Sequence, residues 1–243
     1  MAATRHKKTL NATVGNSVRR ARSNRATWID IAIRVLLGAA FAFVSGVYFT
    51  RAYAILQQTY VAQTGLERTV DVYSILIMGL FAFFIAYLYA IRLPPVSKFA
   101  GIGPAVIAVA GAFLTWGLLL LHQRMDLSVG VKIAADTLIL VANIFALYAL
   151  HHLGRSFSIL PEGRELVTSG PYRFVRHPLY IAEAFATIGA MIHFFSIAAI
   201  ALVGAQFFLQ FLRMYYEEKV LRSTFPEYKA YSRRTARLIP GIY

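Results

Sequence analysis

The sequence predicts an all-α, polytopic integral membrane protein with about six transmembrane helices, the last two a helical hairpin. Three observations carry that expectation. Of 243 residues, 58% are hydrophobic and 15% charged, where soluble domains average roughly 45–50% and about 25%. The apolar residues stand in long blocks, which excludes a disordered chain, a collagen-like one and an ordinary soluble α/β domain. The basic excess, 25 Lys+Arg against 11 Asp+Glu for a net charge of +14, is kept out of those blocks and gathered at their ends. Charges placed in this way point to membrane lipids as partners and not to nucleic acid.

Each block is measured against the roughly 20 residues needed to cross about 30 Å of hydrocarbon. Residues 29–49 hold Asp30 and Arg34 and are otherwise uncharged, and residues 72–91 and 99–121 hold no charge. Residues 131–150 carry Lys132 and Asp136 near their start. The last block, 179–212, has only Glu183 as a charge. As one helix it would be about 51 Å long, too long for one crossing, so a hairpin bent near His193-Phe-Phe-Ser196 is expected. The chain thus divides into a basic, disordered tail at 1–28, four transmembrane helices at 29–150 and a C-terminal core at 151–243. The tail is rich in Arg, Ser and Thr, a composition that also suits a transit peptide.

Six crossings put both termini on one side. Twenty of the Lys and Arg residues lie in the two tails and in the 92–98 and 151–178 loops. Only Arg51, Arg68, Arg124 and Lys132 lie in the opposite loops. Positive charge marks the cytoplasmic side, so both termini and the 151–178 loop are expected there.

Three polar stretches on that side carry the unusual chemistry: Leu153-Gly-Arg-Ser-Phe-Ser158, the run from Leu166 to Tyr180, and the segment from Arg213 onward. Within the second, Ser169-Gly-Pro-Tyr172 is a turn, because Gly permits unusual backbone and Pro fixes φ. Pro178 suits the first turn of a helix, which leaves His177 at the helix entrance, where free N–H groups favour an anion. Arg176 and His177 can grip a carboxylate or phosphate there; equally, Arg173 and Arg176 can anchor the helix to lipid headgroups. Arg213 and Glu217 are four residues apart and share a helix face, whereas Glu218 points about 100° away. As acids beside a basic cluster, the two glutamates also suit structural ion pairs. Glu183, one turn inside an apolar helix, is a functional candidate by its depth and can face His177 or Tyr180 or line a cavity. His122, His151 and His152 lack an HExxH pattern or a carboxylate cluster, so no metal is expected. Without cysteine there is no disulfide, thiolate site or cysteine nucleophile. No GxGxxG or P-loop is present, so any cofactor must be held by loops and helix ends.

In order, Leu166-Val-Thr-Ser-Gly-Pro-Tyr172, Arg176-His-Pro-Leu-Tyr180, Arg213 with Glu217-Glu218, and Phe225-Pro-Glu-Tyr-Lys-Ala-Tyr231 resemble the isoprenylcysteine carboxyl methyltransferase family. They are similar also to its relatives among membrane phospholipid methyltransferases. The resemblance spans residues 153–243. It implies an integral membrane enzyme with a cytoplasmic catalytic loop that uses S-adenosylmethionine without a Rossmann fold. It further implies cofactor contacts from Tyr172, Arg176, His177, Tyr180 and Glu218, with backbone from Leu166 and Val167 to Gly170. Arg213 and Glu217 map to the polar groups near the reacting centre. Two departures are Phe225-Pro226 where the family has Phe-Gly, and Glu183 where many relatives have Gly.

Methyl transfer from a sulfonium expels a neutral leaving group, so no acid is required. A carboxylate acceptor needs only placement, which Arg213 can provide bidentately. An amine would need a base, for which Glu217 is the candidate. The expected substrate is a lipophilic acceptor entering from the bilayer, either the carboxylate of an isoprenoid-type molecule or an amine-bearing lipid. Two alternatives stand beside this: an NADPH-dependent enzyme resembling sterol reductases, and a non-catalytic membrane scaffold.

Overall fold

The computed structural model describes residues 2–57, 65–96, 101–124 and 126–241; of residues 2–27 and 29 only the backbone is described. The described elements are α1 (Ala2–Gln57), α2 (Gly65–Ile91), α3 (Ile102–Phe113), α4 (Val129–Leu153), α5 (Pro178–His193), α6 (Ile197–Thr224) and α7 (Tyr228–Arg234). No β-strand occurs among them; Val175 and Ala236 form an isolated bridge. α1 begins at Ala2, inside the segment expected to be a disordered tail, whose side chains before Trp28 lie outside the described residues.

Five segments are long and apolar enough to cross a membrane: Asp30–Gln57, Gly65–Ile91, Ile102–Leu120, Val129–Ser156 and Ile197–Thr224. The protein is therefore an all-α integral membrane protein. Large apolar side chains on the outside agree, with Leu120 90% and Ile197 88% exposed, since soluble surfaces avoid such extended apolar patches. The expected sixth crossing differs. The 179–212 block does break at Phe194, with Ser196 capping α6 through Ala199 N–H. However, α5 has only 16 residues, about 24 Å of helix, short of the roughly 30 Å hydrocarbon core. It nonetheless runs antiparallel to α4 almost to the far end. There His193 Nε2 lies 2.8 Å from Asp136 Oδ1, and Arg124 N–H donates to the His193 carbonyl.

Helix ends overrun the apolar blocks because helices continue where polar side chains find partners. Arg68, in the first turn of α2, donates to the carbonyls of Ile55 and Leu56 and so caps α1. Small residues allow close helix approach. A Cβ on Gly189 would stand 2.9 Å from the Ala135 carbonyl, and one on Gly79 would stand 3.0 Å from the Phe49 ring.

Packing separates two groups of helices. α1, α2 and α4 share a core of Phe41, Ile85, Leu88, Tyr89 and Leu150, closed by Phe157 and Ile159 of the loop after α4. α6 packs on α3 and on the 3-10 stretch Leu114–Leu120 that continues it, around Leu118, Ala199 and Val203. α5 stands between the groups. At one end, the loops following α2 and α4 are tied together by Leu93 N–H to Arg155 O and Val96 N–H to Gly163 O. Asp30 gathers Arg34, Arg92 and Arg164 at that same end. Burial, and then the neighbouring Arg164, lower the Arg92 pKa, so this cluster depends on the Asp30 charge.

Candidate active site

A cavity of about 370 Å³ opens between the two helix groups. Along α5 its wall runs from Leu179 to Ala190, about 16 Å of helix, and continues to Phe194 just past the helix end. Beyond Leu179, Tyr180 and Glu183, the side chains that α5 turns to it are small: Ala182, Ala186, Thr187 and Ala190. Tyr48, Met78, Leu118 and Phe194 close the deep part. The other end is polar and brings together Arg164, Arg176, His177, Arg213, Glu217 and Tyr228.

Each of these side chains is placed by a local device. The Gly170–Arg173 turn starts from Gly170 at φ +58°, where a Cβ would lie 2.0 Å from the His152 ring; only glycine fits. Tyr172 follows, and its carbonyl accepts from Tyr231 Oη at 2.6 Å. His177 is the residue before α5, as expected, with its N–H donating to the Arg237 carbonyl. Arg176 N–H donates to Ala236 O at 2.8 Å, so the last residues of the chain strap this helix entrance.

The two adjacent glutamates part company. Glu217 lines the cavity and accepts from the Tyr180 hydroxyl, with His177 Nδ1 3.9 Å away. Arg213 lines it too, stacked 4.9 Å over the Tyr180 ring and 3.7 Å from Glu183. Glu183, held by Gln210 Nε2 at 3.0 Å, belongs to the same group.

Glu218 lies behind this wall and does not line the cavity. It is 1% exposed and accepts from His177 Nε2 (3.2 Å), from Arg237 Nε (2.9 Å) and Nη2 (3.0 Å), and from Arg222 Nη2 (3.0 Å). The anion at the α5 entrance is thus the protein's own carboxylate, where the sequence suggested a ligand. Gly170 also stands off the cavity, whereas Leu166, Val167, Tyr172, Arg176, His177 and Tyr180 line it.

Electrostatics single out the cavity. Among the described residues, buried polar atoms without a hydrogen-bond partner occur on Ser156, Arg164, Arg176, Gln206, Arg213 and Tyr228. All six residues line the cavity; Arg92, which also has such atoms, does not. Arg164, Arg176 and Arg213 each have a carboxylate within ion-pair range, but buried N–H donors are normally hydrogen-bonded as well, so the spare donors suit a polar, anionic ligand. They also fit the donor groups that S-adenosylmethionine's carboxylate would require. Burial, then the Glu217 charge, raise the Tyr172 pKa, and burial followed by Glu218 raises that of Tyr228. Burial pushes Tyr231 up to about 12. These phenols are hydrogen-bonding groups at neutral pH, not bases.

Sequence reasoning missed Arg164, Gln206 and Arg237. Arg164 counted only as a topology-setting charge; Gln206, uncharged, escaped a search for charged residues in an apolar block. Nothing local marks Arg237.

Comparison with known proteins bears on the same region. The chain is 35% identical over 82 residues to the cobalt-zinc-cadmium resistance protein CzcN of Cupriavidus metallidurans. It is 40% identical over 84 residues to the nickel-cobalt-cadmium resistance protein NccN of Alcaligenes xylosoxydans xylosoxydans. Each match covers 33% of this chain and 38% of the relative. Residues 135–223, from α4 through the turn and α5 to the end of α6, match the model of the isoprenylcysteine carboxyl methyltransferase (ICMT) family. This segment, which holds Arg213, Glu217 and the α5 entrance, is thus similar to the isoprenylcysteine carboxyl methyltransferase family, and the chain spans well under half the length of the two curated relatives.

Proposed function

We propose that the protein transfers a methyl group from S-adenosylmethionine to a carboxylate on a lipophilic acceptor. The observation that carries this reading is a cavity with an apolar depth and a polar end rimmed by buried guanidinium nitrogens that make no hydrogen bond. When bound, S-adenosylmethionine supplies an electrophilic methyl on a sulfonium whose departure leaves a neutral thioether. The residues then have only to bind and orient. Arg213, buried with no hydrogen bond at Nε or Nη1, holds the acceptor carboxylate. Glu217, fixed by the Tyr180 hydroxyl, repels a second anion from the wrong side of that carboxylate and so helps set its direction. Arg164 and Arg176, with nitrogens on the opposite loop that make no hydrogen bond, supply the partners for the donor's own carboxylate. Leu166 and Val167, Tyr172 and the His177–Tyr180 pair form the wall between the two ligands' polar ends. Placement of this kind can supply much of the acceleration.

The acceptor's chain occupies the apolar depth and enters from the bilayer. The polar end faces the cytoplasm, since the same end gathers Arg92, Arg155, Arg164, Arg176 and Arg237 and the positive side of a membrane protein is cytoplasmic. The test is incubation of the purified protein with radiolabelled methyl donor and a lipid extract. A base-labile methyl ester is expected. A base-stable methylamine would make Glu217 a proton acceptor for an amine lipid. Binding of NADPH with no binding of S-adenosylhomocysteine would overturn the reading.

A further inference from the structure

Below the cluster around Arg213, the cavity carries a second set of polar groups that methyl transfer does not use. Gln210 of α6 donates to Glu183 of α5. In this antiparallel hairpin, one turn deeper on each helix brings Gln206 and Thr187 to a common level, both buried and both lining the cavity. Seven residues separate Gln206 from Arg213, about 10 Å of helix. Gln206 Nε2 donates to the Gly111 carbonyl, which fixes the amide's orientation and leaves Oε1 as an acceptor. That oxygen is buried with no partner among the described residues, on a side chain 2% exposed. One turn beyond Gly111, Thr115 sets its Oγ1 3.4 Å from Oγ1 of Thr187. Asn143, midway along α4, completes the lining of this stretch.

A plain hydrocarbon chain lying here would leave a buried acceptor unpaired, which folded interiors rarely do. We propose that Gln206 and the Thr115–Thr187 pair form a recognition site for a hydrogen-bond donor carried partway along the acceptor's chain. The favoured ligand is an amphiphile with an anionic head and a hydroxyl or N–H within its tail. The inference rests on the proposed function only for the head's position at Arg213.

The test uses a saturated fatty acid and its mono-hydroxylated isomers, the hydroxyl moved carbon by carbon along the chain. Binding is read without methyl donor, by displacement of a fluorescent polyene fatty acid that takes energy from Trp116 on the cavity wall. One positional isomer should bind about tenfold more tightly than the unsubstituted acid. Gln206→Leu should abolish that preference, and Thr187→Val should reduce it. If Gln206→Leu fails to fold, the wild-type isomer series and Thr187→Val still decide. The proposal is overturned if no isomer outbinds the plain acid, as expected if the site only holds water, or if the preference survives Gln206→Leu. Preference without methyl transfer to any isomer would reject the methyltransferase reading and leave this site standing; transfer without preference would do the reverse.

Discussion

Replacing Glu218 with Gln removes a charge that is buried behind the cavity wall and does not line the cavity. Its carboxylate is 1% exposed and holds Arg237 at 2.9 and 3.0 Å, His177 at 3.2 Å and Arg176 at 3.6 Å. Arg222, 59% exposed in its side chain, adds little, because solvent screens such pairs. Breaking a buried ion pair by removing one partner costs about 3–5 kcal/mol. The contacts form one network, so their losses do not add, and Gln keeps one accepting oxygen, which argues for the lower figure. A loss of about 3 kcal/mol lowers the melting temperature of a chain of this size by roughly 6–12 °C.

The assay is thermal unfolding in detergent without ligand, run beside a titration with S-adenosylhomocysteine. Limited proteolysis should also cut the C-terminal strap of the mutant sooner, because Arg237 anchors it. Glu217→Gln, on the cavity wall, should keep the melting temperature and slow turnover. Wild-type stability of Glu218→Gln combined with lost affinity for S-adenosylhomocysteine would refute this and return Glu218 to direct ligand contact.

Three further outcomes are expected. Asp30→Asn strands the buried Arg92, while Arg164 keeps Glu162 at 2.6 Å, and should destabilise the protein by about 3 kcal/mol in the same unfolding assay; Asp126→Asn, in an exposed pair, should leave the midpoint where it was. Gly111→Ala places a Cβ 2.6 Å from Arg213 Cδ, so turnover should fall with affinity for S-adenosylhomocysteine preserved. Tyr172, Tyr228 and Tyr231 titrate higher in the fold than the ordinary phenol value of about 10. The folded protein therefore keeps protons that the unfolded chain releases. Their contribution is complete below about pH 10 and is lost as pH rises through the folded values. The melting temperature should fall steeply above that pH, and less so in Tyr231→Phe.

Much of the fold was legible because lipid imposes a one-dimensional rule: apolar length predicts a span, and the 179–212 block was too long to be a single one. The rule misjudged α5 because it counts residues and not depth. The sixteen residues of α5 are too few for a full crossing, and the helix ends where the Arg124 N–H meets the His193 carbonyl. The helix overruns at Gly65–Asp71 escaped for a related reason, since Arg68 is charged yet satisfied by the carbonyls of Ile55 and Leu56.

The site was legible in composition and less so in direction. Helical spacing correctly separates Glu217 from Glu218 by about 100°, but spacing alone cannot say which of the two faces a cavity and which faces a buried arginine. That is decided by Arg237, which returns from the far end of the chain to the α5 entrance and completes the cage around Glu218. With Glu218 neutralised from behind, Glu217 and Arg213 are left to face the open space. One acid of the tandem then holds the entrance together so that the other can be placed, and His177, whose Nε2 contacts Glu218 and whose Nδ1 lies near Glu217, couples the two. Changes at His177 should therefore act on strap and cavity together, which is why a single substitution there cannot separate binding from folding, and the Glu217 and Glu218 variants can.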